Sequence, residues 1–146
     1  MKIRRVAPED VAALAAIAAA SYRAAFAGIL DRRALAARDA AFFARRFRKL
    51  RRRLRLASLR GRPVGFSLTT RRHLDMLFID PARQGRGAGR RLLAECERRG
   101  IRSLECFRDN LAARRFYERA GWRQTRAYAR VFIGQTHHFL RYERPA

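Results

Sequence analysis

The stretch from Met76 to Arg91 constrains the fold of this 146-residue chain more than any other. Its apolar run, Leu77 to Ile79, predicts a buried strand, which Asp80-Pro81 ends because proline cannot donate a backbone hydrogen bond to a sheet. Three glycines follow between Gln84 and Gly89, and an apolar helix face begins directly after them. The pattern predicts a strand, a turn and a helix, whose free amides and positive dipole end would bind an anion such as a phosphate group.

The spacing of the glycines argues against two common phosphate-binding motifs. A P-loop requires Gly-Lys-Ser/Thr, but the chain has Gly89-Arg90-Arg91. The dinucleotide-binding fingerprint requires a third glycine where Arg90 stands. What remains is a Gln-x-x-Gly-x-Gly pattern formed by Gln84, Gly87 and Gly89, or an ordinary glycine-rich turn that caps a helix.

The Gln-x-x-Gly-x-Gly pattern, with Leu-Phe-Ile-Asp-Pro before it and Arg-Arg-Leu-Leu after it, resembles the pyrophosphate-binding motif of the GNAT superfamily of N-acetyltransferases. A second block, Asn110 to Trp122, is similar to the family's Asn-x-x-Ala-x-x-Phe-Tyr-x-x-x-Gly-Phe segment, with Trp122 in the last position. The resemblance implies an acyltransferase that moves an acetyl group from acetyl-CoA to an amine, without a covalent acetyl-enzyme and without a metal.

The resemblance also implies a set of functional residues. The coenzyme would contact the strand end, the turn and two helix starts, through Leu77, Phe78, Ile79, Gln84, Gly85, Arg86, Gly87, Ala88, Gly89, Arg90 and Asn110. Tyr117 stands at the family position whose hydroxyl lies near the coenzyme sulfur, which makes it the expected general acid. From the residues alone, core packing of Tyr117 and a helix-capping role for Asn110 remain alternatives.

Acetyl transfer to an amine also requires that a proton leave an acceptor whose pKa is about 10.4. The candidate bases are polar residues on the predicted central and last strands: Asp75, His73, Glu105, His137 and His138. Asp75 is the first choice, because strand alternation would place its side chain on the same face as Leu77. For each candidate, a surface or structural role is the alternative.

Hydrophobic periodicity predicts a mixed α/β fold for a single domain over residues 1–146. The predicted order is strand, two helices, three strands, helix, strand, helix and two strands, with the second helix running unbroken from Arg32 to Leu50. A twisted, mixed sheet of about seven strands and about four helices follows, as in the GNAT family. There the first two helices form one wall of the acceptor site, so Tyr22 and Phe26 are expected either to contact the acceptor or to pack in the core.

The formal net charge of +23 comes almost entirely from arginine. An excess of this size attracts polyanions regardless of their sequence. The alternative function is therefore a basic nucleic-acid- or ribosome-associated protein with a vestigial or regulatory coenzyme A site, although a GC-biased composition also explains the arginines. For an acetyltransferase, the charge disfavours polycationic acceptors and favours a peptide N-terminus or a small amine with its own carboxylate or phosphate.

The two cysteines have no further Cys or His at metal-binding spacing, which disfavours a zinc site and fits a reducing cytoplasm. The alanine-rich run Val11 to Ala20 is too short and too weakly apolar to cross a membrane. We therefore expect a cytoplasmic protein without a membrane partner, either a monomer or a homodimer.

Overall fold

The computed structural model describes all 146 residues, which form a seven-stranded sheet with helices on both of its faces. The strands are β1 (Lys2–Arg5), β2 (Leu54–Leu59), β3 (Arg62–Thr70), β4 (His73–Ile79), β5 (Ser103–Phe107), β6 (Arg123–Phe132) and β7 (Gln135–Glu143). The helices are α1 (Val11–Phe26), α2 (Arg32–Ala37), α3 (Ala40–Leu50), α4 (Ala88–Arg98) and α5 (Leu111–Arg119). None of these helices is both long enough and apolar enough to cross a membrane.

The strands lie in the order β1-β2-β3-β4-β5-β7-β6. Every neighbouring pair is antiparallel except β4 and β5, which run parallel. Parallel strands need a crossover connection, and α4 provides it. The predicted mixed sheet of about seven strands is confirmed, and so is the predicted order of the elements except within the second helix.

The prediction of one helix from Arg32 to Leu50 is wrong, because the chain leaves the helical conformation at Arg38. The carboxylate of Asp39 accepts a hydrogen bond from the amide of Phe42 at 2.8 Å and thereby starts α3. Aspartate competes for backbone amides in this way, so it favours a helix start over a helix interior. The fold therefore has five α-helices, where about four were expected.

Two apolar layers enclose the sheet. Helices α1 and α3 cover one face, where Phe43, Phe47 and Phe66 are almost completely buried. Helices α4 and α5 cover the other face around Leu93 and Trp122. Each layer is closed by aromatic and aliphatic packing, so the sheet separates two sides that can bind different molecules.

An extra residue in β4 decides which way its side chains point. The register between β3 and β4 shifts, and Asp75 has no partner across the ladder. Such a bulge interrupts the alternation of side chains. Leu74 and Leu77 both pack towards α4 and α5, whereas Asp75 lies with Met76 on the side of α1 and α3. The prediction that Asp75 shares a face with Leu77 is therefore wrong.

Gly65 in β3 provides a test of how tightly β4 is packed. A Cβ atom at this position would lie 2.5 Å from Cδ1 of Ile79 and 2.6 Å from the backbone oxygen of Phe78. We expect Gly65→Ala to lower the free energy of unfolding by about 1–3 kcal/mol, because a packed strand must shift to admit the methyl group. Urea unfolding followed by circular dichroism measures this. Gly28→Ala is the control, since nothing lies within 4 Å of its Cβ position, and equal losses in both variants would contradict the prediction.

Candidate active site

The sheet opens between its two parallel strands. Pairing between β4 and β5 is limited to His73 with Ser103 and Leu74 with Leu104. From Met76 onwards, β4 stays paired only with β3, and β5 stays paired with β7 along its full length. The two strands therefore separate, which leaves an opening through the middle of the sheet.

Backbone groups of β4 line this opening. The amide of Asp80 donates to the carbonyl of Val64 at 2.7 Å, on the β3 side. Because hydrogen-bonding directions alternate along an antiparallel ladder, the backbone groups of Leu77 and Ile79 point away from β3 and towards β5. The carbonyl of Ile79 accepts a hydrogen bond from Nε2 of Gln84 at 3.3 Å. The remaining groups can bind a ligand that carries its own amides.

The turn between β4 and α4 presents a run of free amides. The amides from Gly85 to Arg90 donate to no protein group, and the next one, of Arg91, donates to the carbonyl of Gly87 at 3.2 Å. Gly85 and Gly87 have φ values of +84° and +76°, which favour glycine over any other residue. Free amides at the positive end of a helix form a binding site for phosphate groups.

A groove of about 690 Å³ runs from this turn along the opening to α5. Its size is typical of a small-molecule site. The groove is lined by ten of the eleven residues that the resemblance assigns to the coenzyme: Leu77, Phe78, Ile79, Gln84, Gly85, Gly87, Ala88, Gly89, Arg90 and Asn110. The exception is Arg86, which is exposed and does not line the groove.

The groove also contains residues that the sequence reasoning missed. Three of them, Ser21, Ala24 and Ala25, come from the C-terminal half of α1. Ser21 is buried, yet its Oγ has no hydrogen-bond partner. Buried hydroxyls are normally satisfied, so this one fits a site that is completed by a polar ligand. The small side chains of α1 could have indicated that a ligand approaches this helix, but small side chains are equally typical of ordinary helix packing.

Tyr117 lies where the groove meets a narrower channel of about 170 Å³ between β4 and β5, and it lines both. Burial raises the pKa of Tyr117 well above its usual value, so its hydroxyl keeps its proton at neutral pH. Asn110 also lines both cavities, and its Oδ1 accepts a hydrogen bond from the amide of Ala113 at 3.2 Å. Asn110 therefore caps α5, and its amide group remains beside the groove.

Cys106 also lines the channel. Burial raises the pKa of its thiol to about 12. Because the thiolate is the nucleophilic form of cysteine, this side chain is a poor acetyl acceptor at neutral pH.

On the side of α1 and α3, the channel leads to a third cavity of about 270 Å³, which we call the acceptor chamber. The channel and the chamber share wall residues: Tyr22, Leu74, Asp75, Met76, Glu105, Arg130 and Phe132. Phe26 lines the channel but not the chamber. Three of the candidate bases, His73, Asp75 and Glu105, line the chamber, whereas His137 and His138 do not.

Asp75 and His73 both have partners within the protein. The carboxylate of Asp75 accepts hydrogen bonds from Oγ1 of Thr70 at 2.6 Å and from the guanidinium of Arg53 at 3.2 Å. The Nδ1 atom of His73 lies 2.8 Å from Oγ of Ser103. Both residues nevertheless line the chamber.

Glu105 is held more tightly. Burial raises the pKa of this carboxyl group, but hydrogen bonds from Arg130 and Tyr128 outweigh burial and bring the pKa below its usual value. Nε of Arg130 also donates to the Glu105 carboxylate at 3.2 Å. Glu105 is therefore ionised and weakly basic, and it provides negative charge beside the channel rather than a strong proton acceptor.

Comparison with known proteins defines the class. The acetyltransferase (GNAT) domain matches residues 24–143, and the chain therefore belongs to the GNAT family. The predicted acyltransferase class and the acetyl-CoA cosubstrate are confirmed at the level of this family. No match is found among curated protein sequences. No group of three or more His, Cys, Asp or Glu side chains is arranged to hold a metal ion.

Solved structures resemble the chain over nearly its whole length. A GCN5-related N-acetyltransferase from Rhodopseudomonas palustris is 29% identical, with a TM-score of 0.78 over 99% of this chain and 95% of that chain. Apo YjaB from Escherichia coli is 26% identical, with a TM-score of 0.73 over 97% and 95%. A PaiA N-acetyltransferase from Thermoplasma acidophilum, solved with coenzyme A, is 18% identical, with a TM-score of 0.67 over 96% of each chain.

Gly89 allows a test of the free amides. A Cβ atom here would be 3.5 Å from Phe116 and 3.6 Å from Ile79, which are ordinary contact distances. Proline is tolerated in the first turn of a helix, and Gly89→Pro removes an amide that the fold does not use. We expect this variant to bind acetyl-CoA about tenfold more weakly or worse, because a hydrogen bond to a charged group contributes about 1.5–3 kcal/mol.

The matched control is Gly89→Ala, which adds the same Cβ atom but keeps the amide. Isothermal titration calorimetry with acetyl-CoA compares the two variants, and thermal unfolding checks that both are folded. Equal affinities would show that this amide does not contact the coenzyme.

Proposed function

We propose that this chain transfers the acetyl group of acetyl-CoA to a primary amine of a small molecule or peptide, by direct attack within a ternary complex. The observation that supports this most strongly is the channel through the sheet. It joins the long groove, which is bounded by α1, the glycine-rich turn and α5, to the acceptor chamber on the side of α1 and α3, and Tyr117 lines it. Donor and acceptor could therefore approach each other from opposite ends of the channel.

The groove suits the donor at three points. The amides from Gly85 to Arg90 would bind the pyrophosphate, with the side chains of Arg83 and Arg90 adding positive charge nearby. The pantetheine arm carries amides of its own, and these would pair with the backbone groups of Leu77 and Ile79 in the opening. The unpartnered hydroxyl of Ser21 is a further contact for that arm.

Because a thioester already has a good leaving group, the protein would mainly position the two substrates and stabilise the charge that develops during the reaction. The amine nitrogen forms a bond to the acetyl carbon, and the bond from that carbon to sulfur breaks. A backbone amide at Leu77 would stabilise the negative charge that develops on the carbonyl oxygen. Tyr117 would donate its proton to the departing thiolate.

The acceptor must lose a proton before it can attack, since an alkylamine with a pKa of about 10.4 is almost fully protonated at neutral pH. Asp75 is the proposed base. It lies at the junction of channel and chamber, and its side chain is 27% exposed, which leaves room for a water molecule between the carboxylate and the amine.

Replacement of the Tyr117 hydroxyl tests the proton-donor role. We expect Tyr117→Phe to lower kcat roughly a hundredfold or more, the usual size of a general-acid contribution, with little change in acetyl-CoA affinity. A thiol-release assay over a panel of amines measures kcat, and calorimetry measures donor binding. Tyr142→Phe is the control, because Tyr142 is also buried near α5 but hydrogen-bonds to Glu118 and Arg114, outside the channel. Comparable kcat losses in both variants would reject the role of Tyr117.

The pH dependence tests the base. We expect Asp75→Asn to lower kcat at pH 7 and to recover towards the wild-type value as the pH approaches the pKa of the amine, about 10.4, because the free amine then needs no base. In the wild type, kcat should not fall at alkaline pH before about pH 10, because burial raises the pKa of Tyr117 and keeps its proton in place. A pH-independent defect in Asp75→Asn would indicate a structural role.

A further inference from the structure

The acceptor chamber contains two arginine side chains that no acidic residue neutralises. Arg38, at the end of α2, and Arg46, on α3, both line it. Neither takes part in any of the eight ion pairs of the chain. The third arginine of the chamber, Arg130, is paired with Glu105. The helical side of the chamber therefore carries positive charge without a counterion.

Arg38 is held in place by aromatic neighbours, whereas Arg46 is exposed on α3. The guanidinium of Arg38 lies 4.1 Å from the ring centroid of Phe42 and 5.7 Å from that of Phe132, which is cation–π geometry. Arg38 and Arg46 also lie near the Tyr22 hydroxyl: burial raises the pKa of Tyr22, and the two positive charges oppose that rise. Tyr22 lines both the chamber and the channel, so the arginines lie close to the route of the acceptor.

The opposite wall carries carboxylates that already have arginine partners. Glu105 and Asp75 lie on the strands, where the chamber opens into the channel, and they form ion pairs with Arg130 and Arg53. The charge without a counterion is therefore that of Arg38 and Arg46, towards α2 and α3. A molecule that fits the chamber has an anionic end for these two arginines and an amine end that donates hydrogen bonds to the strand carboxylates, and the cavity of about 270 Å³ limits it to a small molecule.

We propose that the acceptor is a small zwitterion, an amine that carries its own carboxylate, as an amino acid does. Its carboxylate binds Arg38 and Arg46, and its ammonium group enters the channel beside Glu105 and Asp75. Arginine matches carboxylate geometry with paired hydrogen bonds, which makes this contact selective as well as attractive. The inference rests on the proposed acetyltransferase function and names its substrate class.

The transfer leaves the carboxylate unchanged. The ammonium group first loses one proton to Asp75 or to water. The amine nitrogen then forms a bond to the acetyl carbon, the carbon–sulfur bond of the thioester breaks, and the thiolate takes a proton from Tyr117. The second proton that the nitrogen loses on becoming an amide returns to Tyr117 through water. The product has an amide in place of the ammonium group, so it loses the attraction to the carboxylate wall and keeps only the contact with the arginines. Product release is thereby favoured.

Matched acceptor pairs test the proposal. Free amino acids, β-alanine and 4-aminobutyrate are each compared with their carboxamides in the thiol-release assay, at fixed acetyl-CoA. We expect kcat/KM for the best acid to exceed that of its amide about tenfold or more, mainly through KM, because only the acid has the charged partner that arginine binds strongly.

Two variants test whether Arg38 and Arg46 cause the preference for an acid over its amide. Arg38→Gln and Arg46→Gln should each reduce the advantage of the acid over its amide towards one, whereas Arg48→Gln should leave it as in the wild type, because Arg48 is on α3 but does not line the chamber. Circular dichroism checks that all three variants are folded.

Each outcome decides one question. If amides react as well as acids, or if the advantage of the acid survives both chamber variants, the inference is overturned while the acetyltransferase function stands. If acetyl-CoA binds but no amine of either set releases thiol, the inference is overturned, and the proposed function fails with it only if the wider panel of amines, peptides included, also releases none.

Discussion

The site depends on the separation of β4 from β5 after Leu74. Each strand keeps its antiparallel neighbour, β3 for β4 and β7 for β5, and these ladders hold the two strands along different directions. The bulge at Asp75 adds to the divergence, because a bulge bends its strand and increases the local twist. The result is a gap in the interior of a sheet, where unpaired backbone groups are costly unless a ligand satisfies them.

The two cavities differ in whether backbone or side-chain groups line them. In the proposed reaction, the donor groove would bind through amides, from the glycine-rich turn and from β4, and these cannot be lost by substitution of a surface charge. The acceptor chamber would bind through side chains, with carboxylates on the strands and arginines on the helices. A backbone site would then recognise the constant part of the reaction, the coenzyme, whereas a side-chain site can change without disturbing the fold.

The local arrangement of charges says more about the acceptor than the net charge of the protein does. A net charge of +23 says only that polyanions are attracted. In the structure, the chamber contains charges of both signs, and two of its arginines, Arg38 and Arg46, have no acidic partner. Their position relative to Glu105 and Asp75 carries information about the acceptor that the total charge does not.

Prediction from the sequence worked where the determining interactions are local. The strand from Leu77 to Ile79, the glycine-rich turn and the cap at Asn110 are each marked by residue types within a short segment, and all three are present. The unbroken helix from Arg32 to Leu50 was wrong, because the apolar pattern continues across a break that the cap at Asp39 creates. The face of Asp75 was wrong because a bulge depends on the register with β3, which periodicity within β4 does not contain.

By itself, the sequence determined the family, the anion-binding turn and the order of the elements, because each follows from short patterns that act through neighbouring backbone groups. Only the tertiary structure decided which residues share the acceptor chamber. Arg38, Asp75, Glu105 and Arg130 are far apart in the chain and come together because helix packing and strand pairing fix their separation. The physical reason is that side-chain packing across the sheet is a property of pairs distant in sequence, and no local periodicity encodes it.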